Sequence, residues 1–234
     1  MLHDAPDHIR VPRECEPSTH SPCLEISQLL AGLVTARLCH DLISPLGAIG
    51  NGVELLAMPG AQANGPELTL VSESVDTAQA RIRMFRVAFG ASASDQRMSS
   101  PEAAGLMQDL ARTGRLTIDW QAEGDMARRE VKMLLLAGLC LETALPRGGR
   151  VLVCRSGDYT QPGWRLVAEA PRTRPDPELW ALIGPDEGAP AITPQSLSSL
   201  SPAQVQFALL PAEAVLANRR LHWELDEAGA EIRF

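Results

Sequence analysis

Ala36-Arg37-Leu38-Cys39-His40-Asp41-Leu42-Ile43-Ser44-Pro45 lies inside a long apolar-periodic segment, and its reading decides the fold. From Cys39 the apolar positions recur as Cys39, Leu42, Leu46, Ile49, Val53 and Leu56. Spacings of three and four mark a helix that buries a stripe in a bundle. At about 100° per residue, His40 falls roughly 140° from the centre of that stripe. Ser44, Gly47 and Asn51 share its side, with Arg37 and Asp41 flanking. A core histidine would sit on the stripe. This one is expected to face water, beside an acid and one turn before a proline whose missing N–H should kink the helix.

Outward from this segment, the spacing predicts a helix from about Leu24 to Leu56, ended by Met58-Pro59-Gly60. A second helix starts at Pro66, which suits a first helical turn. Its apolar positions are Val71, Val75, Ala78, Ile82, Phe85 and Phe89, and it ends at Gly90. The pair forms an antiparallel hairpin. A lone hairpin cannot cover two seams of this length, so pairing with a second copy into a four-helix bundle is expected. With the turn near Gln62, His40 lies level with about residue 84. Arg81, Arg83 and Arg86 then stand at its height as candidate anion-handling groups.

Residues 1–23 read as a flexible tail whose His3, His8 and His20 make an adventitious metal site at most. The hairpin domain spans 24–95, with a hinge in Ala91 to Asp95. Residues 96–234 alternate between structure types: helix at Pro101–Thr113, strand at Arg115–Trp120, helix at Arg129–Leu145, strands at Arg150–Arg155 and Trp164–Glu169. A helix at Ser201–Asn218 follows, then a hairpin of Leu221–Leu225 and Ala230–Phe234. The stretch Arg172 to Pro194 is expected to be irregular, with a short helix at Pro177–Ile183. This order suggests a two-layer α/β sandwich. The fold class is therefore α plus α/β.

The chain has 234 residues, a net charge of −8 and a pI near 5.2. That balance argues against nucleic acid or anionic membrane as a partner. Five scattered cysteines without a C-x-x-C pair imply neither disulfides nor zinc. The first residues form no signal peptide, and no later segment is expected to approach a membrane span. A soluble, cytoplasmic protein is the expectation.

The chemistry centres on His40. A neutral imidazole is a competent nucleophile near neutral pH. A carboxylate at Asp41 can orient one ring nitrogen and leave the other to attack phosphorus. A His-Asp metallohydrolase would need further ligands, and beyond the tail and His40 only His222 remains, in a predicted strand.

The run Ala36 to Pro45, together with Phe85-Arg86-Val87-Ala88-Phe89-Gly90-Ala91-Ser92-Ala93-Ser94, resembles the bacterial histidine phosphotransferases of the ChpT type. The likeness extends over roughly residues 24–234, but its specificity lies in those two motifs. It implies a dimeric four-helix bundle flanked by degenerate domains resembling the ATPase domain of histidine kinases. By the same resemblance, His40 carries phosphate between response-regulator receiver domains, one of them that of a hybrid histidine kinase. Asp41 takes the second catalytic place. Arg37, Ser44, Pro45, Asn51, Arg81, Arg83 and Arg86 are the expected supporting and receiver-binding residues.

Kinases of that fold need an Asn-bearing helix for magnesium and an Asp-x-Gly-x-Gly loop for adenine. The segment Val131 to Leu145 has no Asn, and Glu169-Ala170-Pro171-Arg172-Thr173 has no glycine. No Gly-rich phosphate loop follows. No cofactor and no ATP binding are expected, with magnesium supplied by the partner receiver. Two alternatives stand beside the phosphorelay reading: a non-catalytic dimeric adaptor for receivers, and an active histidine-kinase fragment.

Overall fold

The computed structural model describes residues 22–58, 65–92, 95–157, 163–174, 176–184 and 192–234. Residues 1–21 of the expected tail, the tip of the first loop and part of the expected hinge lie outside the described residues, while Pro22 and Cys23, expected in the tail, already open the first helix.

Helices α1 (Pro22–Leu56) and α2 (Pro66–Ala88) form the hairpin. Gly52 approaches Val71 so closely that a Cβ there would collide with it, while Asp41 meets Arg81. One pair of positions nears as the other recedes, so the helices run antiparallel. Helix α1 continues without interruption through Pro45, which is buried. The expected kink does not break the helix.

The apolar stripe of α1 divides. Leu42, Ile49 and Leu56 are half-buried, whereas Cys39, Leu46 and Val53 stand exposed. Ile43 and Leu46 keep 68% and 57% of their surface. Positions spaced alternately by three and four form two neighbouring rows, and one partner helix covers one of them. In α2, Ala78 and Phe85 are buried while Leu68 and Ile82 remain exposed. Both helices thus present an uncovered apolar row.

The rest of the chain builds an α/β sandwich. In order come β1 (Arg97–Met98), α3 (Ser100–Thr113), β2 (Leu116–Gln121), β3 (Met126–Ala127) and α4 (Arg128–Ala144). Then follow β4 (Gly149–Ser156), β5 (Gly163–Glu169), α5 (Pro177–Ala181) and α6 (Pro194–Ser198). A 3-10 helix (Pro202–Gln204), α7 (Gln206–Leu216), β6 (His222–Leu225) and β7 (Gly229–Arg233) complete it. The main sheet has the order β2-β4-β5-β7-β6. Its pair β2/β4 is parallel because α4 provides the crossover between them; the other pairs are antiparallel. Val151, Val153, Trp164, Leu166, Ala168, Ala230 and Ile232 alternate into the core with buried residues of α3, α4 and α7. The alternate positions carry cross-strand ion pairs, Arg150–Asp119 at 2.5 Å and Arg165–Glu231 at 2.6 Å. The final turn closes on Asp226, whose Oδ1 accepts from the N–H groups of Ala228 and Gly229, each at 2.8 Å.

The hairpin is docked rather than free-standing. Met84, Phe85, Val87 and Ala88 of α2 enter the same core as Met107 and Leu110 of α3 and Leu135 of α4. The buried Lys132 of α4 donates to the carbonyl of Gly90 at 2.9 Å and pairs with Glu213 at 2.5 Å. Ile26, Leu29, Leu30 and Leu33 of α1 pack against this core, and α6 and the 3-10 helix lie along α1.

Several expectations need correction. The expected helix Ser201–Asn218 divides into the 3-10 turn and α7, and Pro211 inside α7 has no N–H for the Phe207 carbonyl. The Pro-rich stretch holds α5, as expected, and also leads into α6, which starts at Pro194. The β1/β3 pair is two residues long in each strand, too short to leave a periodic signal. Finally, α1 does meet the length-and-composition test for a membrane span, with an 18-residue stretch of mean hydropathy 1.3. The reason is that two of its rows are apolar, one toward the protein and one left open.

Candidate active site

His40 projects from the middle of α1 with 82% of its side chain exposed. Its Nδ1 lies 2.9 Å from Asp41 Oδ1. A carboxylate only accepts, so this contact calls for the proton on Nδ1 and leaves the Nε2 lone pair directed outward. Residues adjacent in a helix diverge by about 100°. The bond therefore depends on the Asp41 rotamer that other groups hold in place.

Those groups are two arginines. Arg37, one turn earlier on α1, donates from Nε to Asp41 Oδ2 at 2.6 Å. Arg81 of α2 brings Nη1 to the same oxygen at 3.0 Å. Asp41 thus gives one oxygen to the cations and one to the imidazole, and only 9% of its side chain is exposed. Charge-assisted bonds of this kind are shorter and stronger than neutral ones, and they hold the carboxylate in one rotamer.

The second domain reaches the same point. Arg37 Nη1 donates to the carbonyl of Ala203 at 2.8 Å. Arg37, Asp41, Arg81, Glu142, Thr143, Ser201 and Gln204 line a cleft of about 350 Å³ between the hairpin and the sandwich. Burial pushes the Glu142 carboxyl up from its ordinary value and Asp41 adds to this, while Arg37 and Arg81 oppose it.

The structure gathers some of the residues expected from the sequence and disperses others. Ser44 and Asn51 lie exposed on the His40 side of α1, one and three turns on. Pro45 is buried about 140° around the helix from His40. Arg81 joins the site. Arg83 does not: it makes a two-pronged pair with Asp109 of α3, both bonds 2.8 Å. Arg86 lines a separate groove of about 420 Å³ with Arg83, Leu106, Asp109 and Arg128. The expected ring of three arginines at one height is thus corrected. Position 81 points well away from positions 83 and 86, which share the other groove as an i,i+3 pair, so equal height does not mean a common face. His222 sits half-buried in β6, away from this cluster in the fold. Sequence reasoning missed Glu142 and the Ala203 carbonyl. Both lie more than a hundred positions from His40 and carry no motif; a backbone carbonyl leaves no residue signature at all.

The model of the histidine phosphotransferase C-terminal domain family matches residues 100–229. The protein phosphotransferase ChpT of Brucella abortus (strain 2308) is 32% identical over 186 residues, covering 79% of this chain and 85% of that protein. A solved structure of a bacterial phosphotransferase, 28% identical, covers 87% of this chain and 94% of its own, with a TM-score of 0.66.

Proposed function

Since this chain belongs to the histidine phosphotransferase family, a phosphotransferase that works in a phosphorelay with response regulators, we propose that His40 carries the phosphoryl group. The observation that carries this reading is the Nδ1–Asp41 bond on a highly exposed ring. Nε2 attacks the phosphorus of an aspartyl phosphate on a receiver domain. The P–O bond breaks, its electron pair leaves with the receiver carboxylate, and the new P–N bond forms. The Nδ1 proton stays against Asp41, which stabilises the cationic character of the substituted ring. In the return step a second receiver aspartate attacks phosphorus, and the P–N pair reverts to Nε2. Such transfers depend on in-line placement and charge neutralisation rather than on further covalent help.

Arg37 and Arg81 hold Asp41 in this reading, while Ser44 and Asn51 flank the ring as receiver contacts. The donor is the receiver of a hybrid histidine kinase, and the receivers supply magnesium. The protein itself uses no cofactor and no ATP. Support for the last point comes from α4, whose residues Val131 to Leu141 are all buried, with α7 packed against it. The protein acts as a cytoplasmic homodimer, its uncovered rows on α1 and α2 closing a four-helix bundle; nucleic acid and membrane have no part in it.

The test is transfer from a receiver domain phosphorylated by acetyl phosphate. Wild type should gain an acid-labile, alkali-stable phosphate, and His40→Ala should gain none. Undiminished labelling of the variant would place the phosphate elsewhere.

A further inference from the structure

We propose that Gln206, in the second domain, is a positioning residue for the phosphoryl-accepting nitrogen of His40. The inference rests on the His40 reading above. Gln206 opens α7 and is 1% exposed. Its amide nitrogen lies 2.8 Å from the Ala203 carbonyl, 3.0 Å from Thr143 Oγ1 and 3.4 Å from the Leu139 carbonyl. Two of these three neighbours are backbone oxygens, which can only accept. The NH2 must therefore face them, since exchanging amide oxygen and nitrogen would set oxygen against oxygen. This orientation leaves Gln206 Oε1 buried with no hydrogen-bond partner among the described residues.

A buried acceptor without a donor lowers stability. A leucine or methionine would fill comparable space without that oxygen, and the Ala203 and Leu139 carbonyls would keep their other donors, Arg37 and Thr143, so filling space does not account for the amide. What the amide does is pin the Ala203 carbonyl to α4 from one side. On the other side the same oxygen accepts from Arg37 Nη1 at 2.8 Å. The short 3-10 helix carrying Ala203 is itself closed by Gln204 Oε1, which accepts from the Ser201 N–H at 2.9 Å and the Ser201 hydroxyl at 2.8 Å.

The sequence of bonds then runs from Thr143 through Gln206, the Ala203 carbonyl, Arg37 and Asp41 to His40 Nδ1. Each link removes one freedom from the next. With the Ala203 carbonyl fixed, the guanidinium plane of Arg37 is fixed; with Arg37 fixed, Asp41 keeps one oxygen for the imidazole. Without it, Asp41 can rotate toward Arg81, and the ring loses the bond that selects its Nδ1–H form. The second domain thus sets the tautomer of the nucleophile.

The experiment uses the full chain with phosphoramidate as donor, which phosphorylates histidine without a partner protein. Nε2 attacks phosphorus, the donor's P–N bond breaks, and its electron pair leaves with ammonia. Intact mass follows the rate, thermal unfolding follows stability, and nitrogen-15 NMR of the imidazole reads the tautomer. Gln206→Leu should slow His40 phosphorylation about tenfold, with an unchanged or higher melting temperature and a shift away from Nδ1–H. Gln206→Met serves as a second variant should leucine fit poorly. On an Arg37→Ala background, Gln206→Leu should cause no further slowing, because the path runs through Arg37. Wild-type rate and tautomer in a folded Gln206 variant would overturn the inference and leave the His40 assignment intact. A rate loss that tracks a lost melting temperature with the tautomer unmoved would overturn it in favour of a packing role. Normal labelling of His40→Ala would instead overturn the underlying assignment.

Discussion

Helices α1 and α4 are both apolar, yet they are used in opposite ways. Among 35 residues of α1 two are buried, Pro45 and Gly52. Among 17 residues of α4 twelve are buried, including the whole run Val131 to Leu141. Helix α4 spends its apolar side chains on the core between the sheet and α7. Helix α1 gives one row to α2 and the docked domain, keeps a second row open, and turns a histidine outward between them. An apolar composition by itself therefore says little about burial. What separates the two helices is how many neighbours the topology supplies: several around α4, essentially one side of cover for α1.

The sharpest way to break this contrast is to cut a side chain from each. Leu135 of α4 is fully buried, so Leu135→Ala should cost about 2–5 kcal/mol of unfolding free energy. Chemical denaturation would measure it, and a loss below 1 kcal/mol would mean α4 is loosely packed. On α1, Leu46→Asp should leave the fold of the single chain intact, because that position already faces water there. In a bundle it should be severe, since each buried leucine contributes about 1.5–3 kcal/mol and a carboxylate in its place opposes closure. Light scattering at tens of micromolar should find a dimer for the wild type and a monomer for Leu46→Asp or Ile82→Asp. A wild-type monomer would show that the open row serves something other than a second copy.

A smaller effect separates the arginines. Arg81→Gln removes one of the two cations on Asp41 and should slow phosphoryl transfer several-fold, in the way that loosening a supporting shell does. Arg83→Gln breaks the two-pronged pair with the buried carboxylate of Asp109, so it should lower stability while leaving transfer unchanged. Equal slowing by both, read by stopped-flow, would restore a single cationic face on α2.

The smallest effect is a pH dependence of stability. Glu142 has its carboxyl pushed up, chiefly by burial. A carboxyl raised in the folded state binds its proton more tightly there than in the unfolded chain, so stability falls as pH rises from the ordinary carboxylic range through the raised value. Above that window the buried carboxylate opposes folding; below it the penalty is absent. Glu142→Gln should therefore be slightly more stable than wild type at neutral pH, with the gain vanishing in acid. A gain that persists at low pH, in a thermal melt series, would assign it to packing instead.

Much of this was legible in the chain. Pro66 and Ser99-Ser100-Pro101 punctuate helices, and the period-two strands of residues 149–156 and 163–169 name their own inward faces. His40 with Asp41 stood out because a polar pair interrupts an apolar helix on the side away from the stripe. Other features were not legible. The stripe from Cys39 to Leu56 reads as one seam in sequence and resolves into two rows only when α2 takes one of them. Arg81 and Arg83 look equivalent two positions apart, yet Asp41 captures one and Asp109 the other.

The sequence by itself determined the longer elements: where most of the helices begin, which of the longer strands alternate, and which histidine stands outside the apolar pattern. These are local matters, fixed by backbone geometry and by the spacing of side chains along one segment. Tertiary structure alone decided which distant groups join the company His40 keeps. Asp41 is held by Arg37 from the same helix, by Arg81 from across the hairpin, and through Arg37 by a carbonyl at Ala203. The Arg37–Asp41 and His40–Asp41 contacts are local to α1, whereas Arg81 and the Ala203 carbonyl reach the site only because the core beneath them closes.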